Sequence, residues 1–256
     1  MDKRLVERRF TKALPTYSDN ASVQDYVAES LIGMLPEAGC SRVMEVGSGS
    51  GLLTRKFLDR YVPEVMYVND LCPAAESYLV DILDERVRFV AGDAEDISFP
   101  EHLDLIVSSS AIQWFSDLPA FFVKCSNALC AGGVLALSTY GQQNLKEIAY
   151  LENAGLDYIS SNMLESMLSE EFDIVSMSEK TVELTFEHPV AVLRHLKETG
   201  VTATGGGVWT KGRLESFDRR YRENFSAGLS ADCCAGGVRL TYNPVWIVAV
   251  KKSFKQ

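Results

Sequence analysis

Residues 43–54 read VMEVGSGSGLLT: an apolar run carrying one acid, glycines at positions 47, 49 and 51, then the start of a helical pattern. A glycine-rich turn between a strand and a helix lets a backbone approach a ligand closely, and the spacing of its glycines says which ligand. The dinucleotide fingerprint G-x-G-x-x-G fits at Gly47 and Gly49 but meets Leu52 where its third glycine belongs. The phosphate loop G-x-x-x-x-G-K-S/T fails because no Lys-Ser or Lys-Thr pair follows the glycines. The turn is therefore built for neither a pyrophosphate nor a triphosphate.

The spacing G-x-G-x-G, with Glu45 two residues ahead of Gly47, resembles motif I of the class I S-adenosylmethionine-dependent methyltransferases. Two acids support that resemblance. The apolar run EVMYVND ends at Asp70, 19 residues beyond Gly51, where a carboxylate at a strand tip is placed to accept hydrogen bonds from ribose hydroxyls. The run RVRFVAGDAEDISF then places Asp93 after a third strand, like the acid beside adenine in those enzymes. Asp also favours turns and caps, so a purely local role for Asp70 and Asp93 is the competing reading. The resemblance implies S-adenosylmethionine as cofactor, leaving as S-adenosylhomocysteine. It implies a binding set of Glu45, Gly47, Gly49, Gly51, Asp70, Leu71, Asp93, Ala94 and Ser109.

With 256 residues, 46% hydrophobic and 23% charged, the chain suits one globular domain, expected to span residues 1–256. The N-terminus MDKRLVERRFTKAL is charged throughout, unlike a signal peptide, and no run of 18 apolar residues is present, so a soluble, cytoplasmic protein is expected. Six cysteines, at 40, 72, 125, 130, 233 and 234, show no C-x-x-C spacing, and with three histidines no zinc site is expected. They read as reduced, mostly buried thiols; the adjacent Cys233 and Cys234 have no functional account. A net charge of −10 disfavours a nucleic-acid partner. Basic residues gather at Lys3, Arg4, Arg8, Arg9 and Lys12, and again at Arg213, Arg219, Arg220 and Arg222, interleaved with acids as on an ordinary solvated face.

Along the chain, Leu5, Val6, Phe10, Ala13 and Leu14 form a helical stripe that Pro15 is expected to stop, and Asn20 reads as the cap of a second helix running to Leu35. Strands and helices then alternate: RVMEVG, a helix over 52–60, EVMYVN, a helix over 74–84, RVRFVA, LDLIVSSS, a helix over 117–130, GGVLALSTY, and helical patterns over 144–169. This alternation predicts an α/β fold with a mostly parallel sheet and helices on both faces. FDIVSMSEKTVELTF and TYNPVWIVAVKK read as further strands, with helices over 189–199 and 211–226 between them. The tail resembles the end of the Rossmann-like, seven-stranded class I methyltransferase sheet, whose last strand is antiparallel, with an insertion covering the active site. On that reading residues 1–36 lie over the active site and 187–235 form the lid.

The acceptor must be argued from what faces the methyl group, because in-line transfer requires the nucleophile to be held about 3 Å away. A carboxylate is already ionised at pH 7, so it needs neither base nor metal, and the chain shows no H-E pair, no N-P-P-Y and no clear metal cluster. Four segments, FTKALPTYSDNASVQ, SSSAIQWFSDL, LRHLKETGVTAT and LTYNPVWIVAVKK, together resemble the malonyl-acyl-carrier-protein O-methyltransferases of biotin synthesis across nearly the whole chain. The resemblance implies methylation of the free carboxylate of a malonyl thioester on acyl carrier protein. Free-acid carboxyl methyltransferases of the trans-aconitate type, or a non-catalytic subunit of this fold, are the rivals.

Under that resemblance Arg194 is the candidate to hold the malonyl carboxylate, with a surface role as the alternative. Tyr17 is the candidate to close the site or donate a hydrogen bond, with a structural aromatic role as the alternative. Gln113 and Trp114 follow the fourth strand, where this fold places acceptor-facing residues, while His195 reads as packed or solvated and Trp209 and Trp246 as packing. The arginines at 213, 219, 220 and 222, with the N-terminal basic residues, are expected to meet the acidic carrier.

Overall fold

The computed structural model describes residues 2–37, 39–152, 156–200, 209–227 and 237–253, with the side chains of residues 17–20 excepted. Cys233 and Cys234 and parts of the expected lid lie outside them. Strands β1 (Arg42–Val46), β2 (Val65–Asp70), β3 (Val87–Ala91), β4 (Leu103–Ser109), β5 (Leu129–Tyr140), β6 (Phe172–Glu179) and β9 (Pro244–Lys251) form one sheet in the order β3-β2-β1-β4-β5-β9-β6. Pairs among β1 to β5 are parallel, and β9 runs antiparallel to both β5 and β6. The strand order reverses between β1 and β4, which in an open α/β sheet places the ligand crevice at the carboxyl ends of the strands.

Period-two alternation in β1 divides the core. Met44 and Val46 point toward the side covered by α4 (Leu118–Ala128) and α6 (Ser161–Leu168). Val43 faces the side covered by α2 (Ser22–Met34) and α3 (Leu52–Arg60), and the same alternation turns Glu45 to that side. Trp246 on β9, 2% exposed, donates from Nε1 to the Val27 carbonyl at 2.9 Å and stands edge-on to Tyr26, so it fastens α2 to the sheet. Trp209 packs edge-to-face on Phe217.

Five local expectations differ from the structure. The first helix, α1 (Lys3–Asn20), runs through Pro15, and α2 follows with Ala21 rather than Asn20 as its cap. An internal proline forfeits one backbone hydrogen bond. Here the turn around it is held from outside: Ala13 and Leu14 are buried, and Thr16 Oγ1 donates to the Glu198 carbonyl at the end of α7 (Pro189–Glu198). Over 74–84 there is only a 3-10 turn, Pro73–Tyr78, whose last carbonyl accepts from Arg55 Nη2 while the Ile82 N–H turns to the Leu79 carbonyl.

The two long β-branched stretches at the end each split. FDIVSMSEKTVELTF gives β6 and β7 (Val182–Phe186), while the closing stretch divides at Asn243 between β8 (Val238–Tyr242) and β9. Strands β7 and β8 pair with each other as a separate antiparallel ribbon. Pro244 has no N–H to continue a ladder. Asn243 joins the elements there: its amide donates to the Lys180 carbonyl, its Oδ1 accepts from Gln143 N–H, and its carbonyl accepts from Gly141 N–H. The ribbon, α7 and α8 (Lys211–Phe225) occupy the place of one crossover helix. Among the described residues no helix is long and apolar enough to cross a membrane.

Replacing Trp246 by Ala removes a fully packed indole and the α2 tether, and is expected to lower stability by about 3–5 kcal/mol. Urea denaturation followed by circular dichroism measures it, and a loss below about 1 kcal/mol would contradict the fastening role.

Candidate active site

The loops that follow β1, β2, β3 and β4 meet at the carboxyl edge of the sheet and enclose a cleft of about 930 Å³, its open mouth included. Gly47, Gly49, Asp70, Leu71, Asp93, Ala94, Ser109 and Trp114 all line it. Six of the eight come from the end of β2 and the loops after β1, β2 and β3, which is why the glycine and acid spacing was legible in sequence.

The glycine loop is fixed by the next strand. Gly47 and Ser48 N–H both donate to the Asn69 carbonyl at 2.9 Å. A Cβ at Gly47 would stand 2.4 Å from the Ala111 Cβ, so the loops after β1 and β4 approach too closely for any side chain. Gly51 serves a different need: with φ +83° it caps α3, and a Cβ there would strike Leu79 at 2.4 Å. It lets the start of α3 pack against the end of the 3-10 turn at Leu79 and is not part of the cleft wall.

Asp70 is 8% exposed and anchors two loops at once, Oδ2 accepting from Gly49 N–H and Oδ1 from Cys72 N–H, each at 2.7 Å. Burial raises its carboxyl and these two backbone donors oppose the rise. A carboxylate has about four acceptor positions, so Asp70 retains capacity toward the cleft. Burial, followed by the Asp70 charge, pushes the neighbouring Cys72 thiol up to about 12, so it stays protonated.

Asp93 accepts from Glu95 N–H at 3.0 Å and pairs with Lys3 Nζ at 3.2 Å. Lys3 also meets the Glu95 carboxylate and lies 4.8 Å from the Phe115 ring centroid. Burial raises the Glu95 carboxyl, but Lys3 and the N–H groups of Ser116 and Asp117 outweigh it and hold it below the usual carboxylate range. Lys3 thus brings α1 down as one wall of the cleft, with Val6, Phe10 and Leu14 on the same helix. Phe10 stands edge-on to Trp114 at 5.4 Å. The sequence reading missed Phe10 on this wall and Gln24 on α2 beside it; a helical apolar stripe signals burial but not a ligand.

Several buried polar atoms have no hydrogen-bond partner among the described residues: Gln24 Oε1, Ser48 Oγ and Trp114 Nε1. Gln24, Ser48 and Trp114 line the cleft. Leaving such atoms unsatisfied costs about 1–3 kcal/mol each. A ligand carrying several polar groups in an otherwise apolar cleft would recover that energy.

The family model described as a methyltransferase domain matches residues 44–137, which span the whole cleft-forming half of the sheet. The malonyl-[acyl-carrier protein] O-methyltransferase of Bacteroides thetaiotaomicron is 40% identical, over 98% of this chain and 99% of its own length. The chain belongs to the malonyl-[acyl-carrier protein] O-methyltransferase family. The namesake from Bacteroides fragilis is 42% identical over 98% of this chain, which spans only 51% of that longer protein. Among solved structures, YcgJ from Bacillus subtilis superposes with a TM-score of 0.62 at 16% identity, covering 89% of this chain and 99% of that one. An S-adenosylmethionine-dependent methyltransferase from Mesorhizobium loti gives 0.55 at 17% identity, covering 89% and 100%. These two establish the shared fold.

Of the other expected site residues, Glu45, Gln113 and Arg194 stand apart from the cleft wall. Glu45 is fully buried, and its carboxyl is raised to about 7 by burial, with Thr54 opposing and Asp70 reinforcing. Gln113 lies behind the wall: its Nε2 donates to the Ser110 carbonyl at 2.6 Å and its Oε1 accepts from Thr139. Arg194 is exposed on α7, because the inward stripe of that helix is Val192, His195, Leu196 and Thr199 and position 194 falls on the opposite side. His195 is packed: Nε2 bonds the Tyr242 hydroxyl at 2.9 Å, and burial lowers its pKa, keeping the ring neutral. Tyr17 belongs to α1, and its side chain lies outside the described residues.

Glu45 makes a pH-dependent contribution to stability. Its folded pKa near 7 stands above the ordinary 4.5, so the folded state holds a proton that the unfolded chain releases, and stability falls as pH rises through that window. Glu45→Gln is expected to match wild type at pH 4 and to exceed it at pH 8, by on the order of 3 kcal/mol. Denaturant titrations of both proteins without ligand at the two pH values measure this, and an equal difference at both would refute it.

Proposed function

We propose that the protein transfers the methyl group of S-adenosylmethionine to the free carboxylate of a malonyl thioester carried on acyl carrier protein, giving the methyl ester that starts pimeloyl and biotin synthesis. The observation that carries this reading is the full-length similarity to relatives bearing that name, in a chain whose cleft gathers the glycine loop, Asp70, Asp93 and Trp114. When bound, S-adenosylmethionine supplies an electrophilic methyl group on a sulfonium.

The residues present fit that cofactor. Asp70, with acceptor capacity left over, suits vicinal ribose hydroxyls. Asp93 and Ala94 would flank adenine, Gly47 and Gly49 leave room for the backbone to approach the methionine portion, and Gln24 and Ser48 offer polar atoms that want partners. The acceptor carboxylate is ionised at neutral pH and forms the ester without releasing a proton, so the chain need only exclude water and hold one carboxylate oxygen in line. Phe10 and Trp114 supply the apolar cover, and α1, α7 and α8 form the candidate lid.

The carrier would meet a local positive face. Of the helix α8 arginines, Arg213 is paired with Glu152 and lies over the Trp209 ring, and Arg222 is paired with Asp218. Arg219 and Arg220 are exposed, and Arg4, Arg8 and Lys12 are exposed on α1, whereas Lys3 is turned into the cleft. The carrier-facing set narrows accordingly to Arg219 and Arg220 with those α1 residues.

Labelled methyl transfer with malonyl-acyl carrier protein, malonyl-coenzyme A and free dicarboxylic acids offered side by side tests the acceptor; preference for a free acid would leave a carboxyl methyltransferase of a different substrate class. Reversing charge at Arg219 and Arg220 is expected to lower kcat/KM for the carrier substrate by about tenfold at low salt while sparing malonyl-coenzyme A. Unchanged carrier turnover would remove α8 from the interface.

A further inference from the structure

Ser110 follows β4 on the cleft wall, between Ser109 and Ala111, and its backbone is left-handed at φ +58°. A non-glycine residue in that region is uncommon and persists only where its surroundings hold it. Three groups do so here. Ser110 N–H donates to the Ser138 carbonyl at 2.9 Å, its carbonyl accepts from Gln113 Nε2 at 2.6 Å, and its Oγ lies 3.1 Å from the Tyr140 hydroxyl. Gln113 in turn is steadied by Thr139, and the Tyr140 ring packs on Tyr242, whose hydroxyl meets His195 of α7.

All this fixes Ser110, a residue of the cleft wall that carries a small hydroxyl. Either hydroxyl can donate in the Ser110–Tyr140 pair; a phenol is the stronger acid, and with Tyr140 donating the Ser110 proton points elsewhere. We propose that Ser110 Oγ donates the hydrogen bond that orients the acceptor carboxylate, and that Tyr140 is a positioning residue that sets its direction. The inference rests on the methyl-transfer reading above. A neutral donor suits a carboxylate that must stay nucleophilic: it holds one oxygen and leaves the charge on the other. It also gives Gln113 a role as a brace for Ser110 rather than as a contact to the acceptor.

Ser110→Ala, Ser110→Gly and Tyr140→Phe test it, the glycine variant removing the hydroxyl while relieving the left-handed strain so that folding is not at issue. Both Ser110 variants are expected to lower kcat/KM for malonyl-acyl carrier protein by about 10- to 100-fold, with S-adenosylmethionine affinity by calorimetry within about twofold of wild type. Tyr140→Phe is expected to cost about three- to tenfold alone and nothing further on the Ser110→Gly background, because it acts through that hydroxyl. Unimpaired turnover in Ser110→Gly, cofactor affinity falling in step with activity, or a Tyr140 effect that persists without the Ser110 hydroxyl would each overturn the inference. A wild-type protein inactive on malonyl-acyl carrier protein would instead overturn the functional reading, and this inference with it.

Discussion

Parallel pairing from β3 to β5 brings the ends of those strands to one edge, where backbone groups run out of ladder partners, and the cleft is built from the way that edge is completed. Each connecting loop turns back to a neighbouring strand end: Gly47 and Ser48 N–H to the Asn69 carbonyl, Gly92 N–H to the Asp70 carbonyl, Ser110 N–H to the Ser138 carbonyl. Buried backbone groups must be paired. Satisfying them here holds the loops after β1, β3 and β4 in register with one another, and Asp70 adds side-chain bonds to Gly49 and Cys72. The reversal of strand order between β1 and β4 then opens the crevice where those loops part.

The cleft combines a rigid floor with a wall contributed from the chain's N-terminal helix. The floor consists of strand ends and tight turns; the wall is α1, fastened by Lys3 to Asp93 and Glu95 and by Thr16 to the end of α7. The first attachment uses charged groups that are only partly buried, and such pairs contribute modestly to stability. Buried Val6, Ala13 and Leu14 and the Phe10–Trp114 contact supply the apolar part of the attachment. Unsatisfied polar atoms at Gln24, Ser48 and Trp114 mark the same surface as one that gains energy from a polar ligand.

The tail of the chain shows how two adjacent residues redirect a fold. Asn243 and Pro244 break what reads in sequence as one closing strand, turning β8 away into a ribbon with β7 while β9 enters the main sheet between β5 and β6. This elbow carries α7 toward α1 and places the Tyr242 ring against Tyr140, with the Tyr242 hydroxyl on His195 of α7, while Arg194 on the same helix is exposed. A guanidinium in a helix is read from sequence as a carboxylate holder by its chemistry, but its direction is set by which stripe of the helix finds a core.

The sequence by itself determined the parallel α/β fold, the glycine loop and the two acids, because these depend on spacing within short segments: strand, turn and helix periods are local, and Asp70 and Asp93 sit at fixed distances from strand ends. Trp114 was legible for the same reason. Only the tertiary structure decided that Pro15 lies inside a helix, that residues 74–84 hold no α-helix, that Lys3 pairs with Asp93, and that Gln113 braces Ser110. Each of these depends on a partner far along the chain, Glu198, Arg55, Asp93 and Thr139 respectively, and on which side of an element faces the core. Local propensity and spacing carry no information about either, whereas burial and long-range hydrogen bonding override both.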